Sequence, residues 1–193
     1  VMSLKYSPDG KYLAVALGDN CIDIYQILLQ STMPYKRVGC CNDHSGAVTH
    51  VDFDAESGYL RSTSMSNELL YCVIPSGKQS VKTEELSKKK WATHNCVLGW
   101  TVKSIWRRGS TGSDINSIDR SHSKGQSSSW GHNVCATGDD DGKVKLFRWP
   151  AFGFKQAFRS YYGHGSFVSQ VRFSYDDDYL ISAGGTDMSI FQW

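Results

Sequence analysis

The sequence lacks three features that would direct the protein to a membrane or to a nucleic acid. Its apolar runs are short, since Leu69–Ile74, among the longest, has six residues, whereas a membrane-spanning helix needs roughly 18. Its charge is nearly balanced, because 21 Lys and Arg residues against 19 Asp and Glu residues leave a net charge of +2. Its first residues show no basic-then-apolar signal pattern. We therefore expect neither a membrane nor a nucleic acid as a partner.

The six cysteines lack the spacing of a metal site or of a disulfide framework. There is no C-x-x-C pair, three of the cysteines lie in apolar, strand-like runs, and the adjacent Cys40 and Cys41 cannot easily bridge each other. The sequence also lacks any N-x-[ST] sequon. These features predict free, mostly buried thiols in a reducing, cytoplasmic compartment, with no bound metal or other cofactor.

The sequence does contain an internal repeat. Four stretches combine three runs of alternating apolar residues with turns rich in Gly, Asp and Ser. They are Leu4–Ile27, Val51–Ile74, Ile118–Trp149 and Val171–Trp193. Leu4 and Val51 are 47 residues apart, and Asp141 and Asp187 are 46 residues apart. Alternation at period two predicts strands, and a period in the mid-forties is the length of one β-propeller blade.

The repeats define the expected domain organisation. They are predicted at approximately 1–35, 36–77, 78–150 and 151–193, the third being lengthened by a serine-rich insertion. This predicts an all-β fold, an incomplete β-propeller with about four blades' worth of antiparallel four-stranded sheets. Because the first repeat begins within a strand and the last stops on one, we expect residues 1–193 to be part of a larger propeller.

A spacing of six residues between an Asp and an aromatic residue marks three of the repeats. The pairs are Asp19 and Tyr25, Asp141 and Phe147, and Asp187 and Trp193. In the last repeat His164 and Ser182 complete a set that resembles the WD-repeat family. That resemblance implies a structural blade tetrad of His164, Ser182, Asp187 and Trp193, linked by hydrogen bonds within one sheet. The second repeat departs from it, with Ser66 and Cys72 at the Asp and aromatic positions.

Three catalytic or ligand-binding interpretations of these residues are less favoured than a structural one. Ser182, His164 and Asp187 could suggest a catalytic triad, but a blade places them inside a sheet without an oxyanion hole. Gly138–Lys143 is one residue too short for a phosphate-binding loop and has no Ser or Thr after its lysine. The two Asp triplets lack the alternation of an EF-hand. We therefore predict no catalytic, metal or cofactor residue and no enzyme activity.

The segment between the second and third repeats distinguishes the chain from ordinary WD-repeat proteins. It contains Trp91-Ala92-Thr93, Cys96-Val97-Leu98-Gly99, Ser113-Asp114-Ile115-Asn116 and Arg120-Ser121-His122. With the closing pattern from Val171 to Ser189 and the stretch Gly138–Phe147, these motifs resemble the echinoderm microtubule-associated protein-like family, which carries a tandem atypical propeller. Their order is similar to that in the C-terminal half of the second propeller. Two loops depart from the family pattern, at Arg107-Arg108 and at the insertion Ser123–Ser129.

The resemblance implies a non-catalytic protein that binds tubulin and decorates or regulates microtubules. It implies a location in the cytoplasm on the microtubule cytoskeleton, with the axoneme as a further possibility. A propeller binds other proteins through its faces and rim, so candidate contacts lie in loops. Because tubulin is expected to be acidic, the basic residues Lys88, Lys89, Lys90, Arg107 and Arg108 are candidates, against the alternative of a solvated loop. The alternative function is that of a generic WD-repeat scaffold for a ciliary or signalling complex.

Overall fold

The computed structural model describes residues 1–106, 114–122, 133–153 and 156–193. They form two compact units, Val1–Leu98 and Gly99–Trp193. The first unit contains strands β1 (Ser3–Tyr6), β2 (Tyr12–Ala16), β3 (Ile22–Ile27), β4 (Tyr35–Cys41), β5 (Val48–Phe53), β6 (Tyr59–Ser64) and β7 (Leu69–Val73), and helix α1 (Thr83–Ser87). The second contains a 3-10 helix (Trp100–Ile105) and strands β8 (Ile115–Arg120), β9 (Val134–Asp139), β10 (Lys143–Arg148), β11 (Phe158–Tyr162), β12 (Val168–Phe173), β13 (Leu180–Gly184) and β14 (Ile190–Gln192). The all-β prediction is confirmed.

Two antiparallel sheets make up the first unit. The first sheet has the order β1-β2-β3-β4 and the second the order β5-β6-β7. Alternate residues of the central strands are small or branched, which lets one face of each sheet pack closely. Fully buried Ala14, Ile22 and Ile24 of the first sheet share a hydrophobic core with Val51 and Leu60 of the second.

The second unit repeats this arrangement. The third sheet has the order β11-β10-β9-β8 and the fourth the order β12-β13-β14. Ala136 and Val144 of the third sheet pack with Val168, Val171 and Leu180 of the fourth in one core.

A bulge at the start of the first strand is common to three of the sheets. The register shifts between Val48 and His50 in β5, and correspondingly between residues 115 and 117 in β8 and between residues 168 and 170 in β12. Because a β-bulge has a defined position within a fold, its recurrence at equivalent positions indicates that the three sheets are structural repeats of one another.

The sheets and the sequence repeats are offset by one strand. Strand β4 pairs with β3 in the first sheet, although most of β4 lies in the window 36–77. Likewise, β11 pairs with β10 in the third sheet, although it lies in the window 151–193. The windows 36–77 and 151–193 therefore begin with the outer strand of the preceding sheet.

A segment without strands covers the other face of the second sheet. Leu86 of α1 and Trp91 pack on Tyr71 of β7, and all three side chains are buried. The rings of Tyr71 and Trp91 lie 5.8 Å apart. Within the described ranges, no helix is long and apolar enough to cross a membrane.

Candidate functional site

The structure brings the four residues of the fourth-repeat tetrad together within the fourth sheet. His164 precedes β12, Ser182 lies on β13, Asp187 lies in the turn before β14 and Trp193 follows β14. Trp193 Nε1 donates to Ser182 Oγ at 2.8 Å, and Ser182 Oγ lies 2.7 Å from His164 Nε2. His164 Nδ1 lies 3.1 Å from Asp187 Oδ2. The chain of hydrogen bonds therefore joins all three strands of the sheet.

The carboxylate of Asp187 sets the direction of this chain. The Ser189 hydroxyl donates to it at 2.8 Å, and this bond, followed by that of His164, holds the pKa of Asp187 below its usual value. An ionised carboxylate accepts only, so the network assigns the imidazole proton to Nδ1 and leaves Nε2 to accept the Ser182 hydroxyl. Every polar group of the set then has a partner.

The connectivity of Ser182, His164 and Asp187 equals that of a catalytic triad, but the environment differs. Ser182 is fully buried, and its oxygen already accepts the indole N–H of Trp193. A nucleophilic hydroxyl must reach a substrate carbonyl next to an oxyanion hole. The Ser182 hydroxyl is instead hydrogen-bonded within its own sheet, so the set links strands.

A second set of this kind, which the sequence reasoning did not identify, lies in the second sheet. His44 Nε2 lies 2.7 Å from Ser62 Oγ, and His44 Nδ1 lies 3.0 Å from Glu68 Oε2. Ser45 and Ser64 also donate their hydroxyls to Glu68. The bonds from Ser45, then that from His44, lower the pKa of Glu68 to about 2.

The carboxylate of this set lies two residues after Ser66, which the fixed spacing had placed at the acidic position. Cys72 pairs with Leu60 in the β6–β7 ladder, just as Trp193 pairs with Leu180 through backbone hydrogen bonds. The second sheet thus keeps the His, Ser and acid of the tetrad and has a thiol in place of the indole. The separation of His from Ser, which is 18 residues in both sets, was the signal that could have found it.

The Asp and aromatic markers of the first repeat lie in a turn and on a strand, respectively. Asp19 is exposed in the turn between β2 and β3. Tyr25 lies on β3 opposite Leu13, and its hydroxyl donates to Asp23 at 3.3 Å.

In the third repeat, Asp139 is the acid that organises the turn. Asp141, the residue marked by the spacing, accepts a hydrogen bond from Lys143 Nζ at 2.8 Å at the surface. Asp139 accepts the backbone N–H groups of Asp141 and Lys143 and forms a buried ion pair with Lys145. Phe147 is buried with its ring 5.2 Å from that of Phe158.

A buried carboxylate that the sequence reasoning missed anchors the segment Trp91–Cys96. Asp52 of β5 is fully buried, and Arg61 of β6 donates to it through Nε and Nη2 at 3.1 and 3.0 Å. The Thr93 hydroxyl donates at 2.5 Å, and the backbone N–H groups of Asn95 and Cys96 donate at 2.9 Å. Burial alone would raise the pKa of Asp52, but the Arg61 charge and these bonds outweigh it and hold the pKa well below its usual value.

Arg61 extends this network to the rest of the segment. Its guanidinium carbon lies 4.6 Å from the centre of the Trp91 ring, and Nη2 lies 3.1 Å from His94 Nδ1. Trp91, Thr93 and Cys96, the residues that carry the family motif, thus contact one buried ion pair. The motif could be recognised in the sequence, but no local pattern indicated that Asp52 and Arg61 bind it.

The three candidate lysines differ in exposure and in their ion-pair partners. Lys89 Nζ lies 2.9 Å from Asp54 and 2.8 Å from Glu56, and the bonds to Glu56 and Asp54 raise the pKa of Lys89. Lys88 is 75% exposed and lies 3.4 Å from Glu84, while Lys90 is exposed. Arg107 and Arg108 lie outside the described residues, as does the insertion 123–129.

Among the described residues, no group of three His, Cys, Asp or Glu side chains is arranged to hold a metal ion. All six cysteines are free thiols, and four of them are buried. The His164 tetrad, the His44 set and the Asp52 cluster are thus networks that join strands and segments.

Repeated antiparallel sheets with a His-Ser-acid set define the chain as a β-propeller of the WD-repeat type. The family model of the echinoderm microtubule-associated protein second beta-propeller matches residues 1–193. The chain therefore belongs to the echinoderm microtubule-associated protein family, and the predicted family and propeller class are confirmed.

Similar proteins cover nearly the whole chain. Echinoderm microtubule-associated protein-like 1 of Rattus norvegicus is 43% identical over 98% of the chain, which spans 22% of that protein. The 77 kDa echinoderm microtubule-associated protein of Lytechinus variegatus is 44% identical over 98% of the chain, which spans 27% of it. Echinoderm microtubule-associated protein-like 4 of Homo sapiens is 39% identical over 98% of the chain, which spans 19% of that protein. The chain thus corresponds to about a quarter or less of the length of these relatives.

Proposed function

We propose that this chain forms part of a microtubule-associated protein, to which it contributes a tubulin-binding propeller surface. The observation that carries this proposal is the family match over all 193 residues, since the relatives are named microtubule-associated proteins. The protein then resides in the cytoplasm on the microtubule cytoskeleton, and it binds other proteins through propeller faces.

The proposed role is non-catalytic. Ser182, the residue that could act as a nucleophile, is fully buried, and both hydrogen-bond partners of its hydroxyl belong to the same tetrad. The chain's contribution is therefore shape and surface charge, which loops on a rigid scaffold supply.

The exposed lysines after α1 are proposed contacts with acidic tubulin. Lys88 and Lys90 project into solvent, whereas Lys89 is held by Asp54 and Glu56. Exposed cations at the rim of an interface raise the association rate and make binding sensitive to salt. In this proposal Lys88 and Lys90 contact tubulin, whereas Lys89 fixes the loop through its ion pairs with Asp54 and Glu56.

Co-sedimentation of the intact protein with stabilised microtubules tests the function. We expect the wild-type protein to pellet with microtubules, and the double change Lys88→Glu, Lys90→Glu to weaken pelleting severalfold at low salt, with a smaller difference at high salt. Lys78→Glu is the matched control, because Lys78 is exposed in the same segment but precedes α1. Failure of the wild-type protein to bind either tubulin dimers or microtubules would overturn the proposal and favour a scaffold for another complex.

A further inference from the structure

The hairpin between β3 and β4 exposes large apolar side chains at its tip. Leu29 is 90% exposed and Met33 is 75% exposed, and Tyr35 at the start of β4 is 45% exposed. Single exposed apolar residues are common, but three within seven residues form a patch that indicates an interaction site. We define Leu29, Met33 and Tyr35 as the hairpin tip.

The tip is an ordered structure. Leu28 N–H donates to the Pro34 carbonyl at 2.7 Å, and Ser31 N–H donates to the Leu28 carbonyl at 3.0 Å. The Ser31 hydroxyl accepts the N–H of Met33 at 3.1 Å. A preordered apolar loop loses little conformational entropy on binding, so burial of its side chains is converted more fully into affinity.

Among the described residues, one unpaired cation, Lys36, sets the charge beside the tip. Residues 24–42 include Lys36 and Arg37 but no Asp or Glu. Arg37 is paired with Asp23 at 2.6 Å, whereas exposed Lys36 takes part in none of the ion pairs found among the described residues. Lys11, whose carbonyl accepts the N–H of Ile27 at the base of the hairpin, is 72% exposed and pairs with Asp9 at 3.4 Å. Because Arg37 and Lys11 are each paired with an Asp, the positive charge at the border of the apolar tip is that of Lys36.

We propose that the hairpin tip is a docking element that inserts into an apolar groove edged by carboxylates on a folded partner protein. A protruding tip fits a concave surface, and its Lys36 border complements acidic residues at the rim of the groove. The inference rests on the proposed function, in that the microtubule lattice is the acidic partner it commits to. The tip is then a contact separate in sequence from Lys88 and Lys90.

The test compares substitutions at the tip of the intact protein with matched substitutions elsewhere. Leu29→Asp and Met33→Asp introduce a charge into the apolar contact, and each is expected to lower microtubule affinity in co-sedimentation about tenfold or more. Met65→Asp is the control for Met33→Asp, because Met65 is 65% exposed in the β6–β7 turn of the same unit. Since all three side chains are exposed, unchanged thermal melting is expected for each variant.

The charge of the border is tested separately. Lys36→Glu should weaken binding severalfold at low salt and less at high salt, while Leu29→Asp should weaken binding at both. Wild-type affinity in both tip variants would overturn this inference and leave the proposed function standing. A change in self-association by analytical ultracentrifugation, with microtubule affinity unchanged, would also overturn it by assigning the tip to a second copy of the chain. Absence of wild-type pelleting would instead refute the proposed function, and this inference with it.

Discussion

At the scale of single residues, several polar side chains are buried and held by hydrogen bonds from distant segments. Asp52 is the clearest case, because one carboxylate accepts hydrogen bonds from Arg61, Thr93, Asn95 and Cys96. A buried charge is tolerated only when its partners replace the hydration it loses. Such residues are sensitive to changes that leave size and shape intact.

We predict that Asp52→Asn lowers the free energy of unfolding by about 3–5 kcal/mol, because it leaves Arg61 as a buried charge without a counter-ion. Urea denaturation of the intact protein measures the loss. Asp19→Asn makes the same chemical change in an exposed turn and should shift the free energy by no more than about 0.5 kcal/mol. Equal effects of the two changes would contradict the assigned role of Asp52.

The tetrad of the fourth sheet makes a similar prediction. Ser182→Ala removes the acceptor of the Trp193 indole N–H and the partner of His164 Nε2, so two partly buried groups lose a hydrogen bond. We expect a loss of about 1–3 kcal/mol in the free energy of unfolding. Ser66→Ala, at an exposed position, is the control and should be nearly neutral. A neutral Ser182→Ala would show that the tetrad does not stabilise the sheet.

The low pKa of Glu68 links stability to pH. Since the pKa is about 2 in the folded protein and about 4.5 is the ordinary value, the ionised carboxylate stabilises the fold above about pH 4.5. This contribution is lost as the pH falls from 4.5 towards 2. The difference in unfolding free energy between the wild-type protein and Glu68→Gln should therefore shrink over that range. A difference independent of pH would contradict the assignment.

At the scale of elements, the segment that contains α1 and Trp91–Cys96 covers one face of the second sheet. Its attachment combines the apolar contacts of Leu86 and Trp91 with the polar anchor at Asp52. Neither contribution is local in sequence, so the segment has little structure that it could keep when detached.

Hydrogen exchange of the intact protein tests this attachment. Leu86→Ala removes a side chain that is 2% exposed, and such changes cost about 2–5 kcal/mol. We predict faster exchange of the Asn95 and Cys96 amides in both Leu86→Ala and Asp52→Asn, while the amides of β2 and β3 keep their protection. Unchanged exchange at Asn95 would show that the segment is held by other contacts.

The strands could be predicted from the sequence, and the anchor of this segment could not. Period-two patterns such as that of β2 and β3 report burial on one sheet face, and turn residues mark their ends. By contrast, the donors to Asp52 from Thr93 and Cys96 are 41 and 44 residues away, in a segment without periodicity. Pairing of that range depends on the tertiary fold.

The tetrads show the same limit. The set in the fourth repeat could be proposed because its spacing follows the WD-repeat pattern, whereas Glu68 lies two residues from the place that spacing assigned to an acid. The longer side chain of Glu68 reaches the equivalent histidine, His44, from a shifted backbone position. Spacing alone therefore located one set and missed the other.

At the scale of the whole molecule, the chain carries apolar sheet surface that is open to solvent. Leu4 and Tyr6 of β1 are 57% and 58% exposed, and Ile190 of β14 is 76% exposed. Exposed apolar residues on strands are a risk for association, since a monomer rarely leaves contiguous patches of this kind uncovered.

We predict that a polypeptide of residues 1–193 alone self-associates at micromolar concentration and unfolds without one sharp transition. Sedimentation velocity and thermal unfolding measure these properties. Changing Leu4 and Ile190 to Lys should reduce the association, whereas changing exposed Val81 to Lys should not. A monodisperse monomer with a single cooperative melt would contradict the prediction.

The position of strand β4 has a consequence for how such a chain can evolve. By hydrogen bonding β4 completes the first sheet, yet it lies directly before the strands of the second. A gene duplication that copies residues 36–77 therefore adds the outer strand of one sheet together with the three strands of the next. Each new copy is bound to its predecessor at once, so copies can be gained without an intermediate in which one must fold alone.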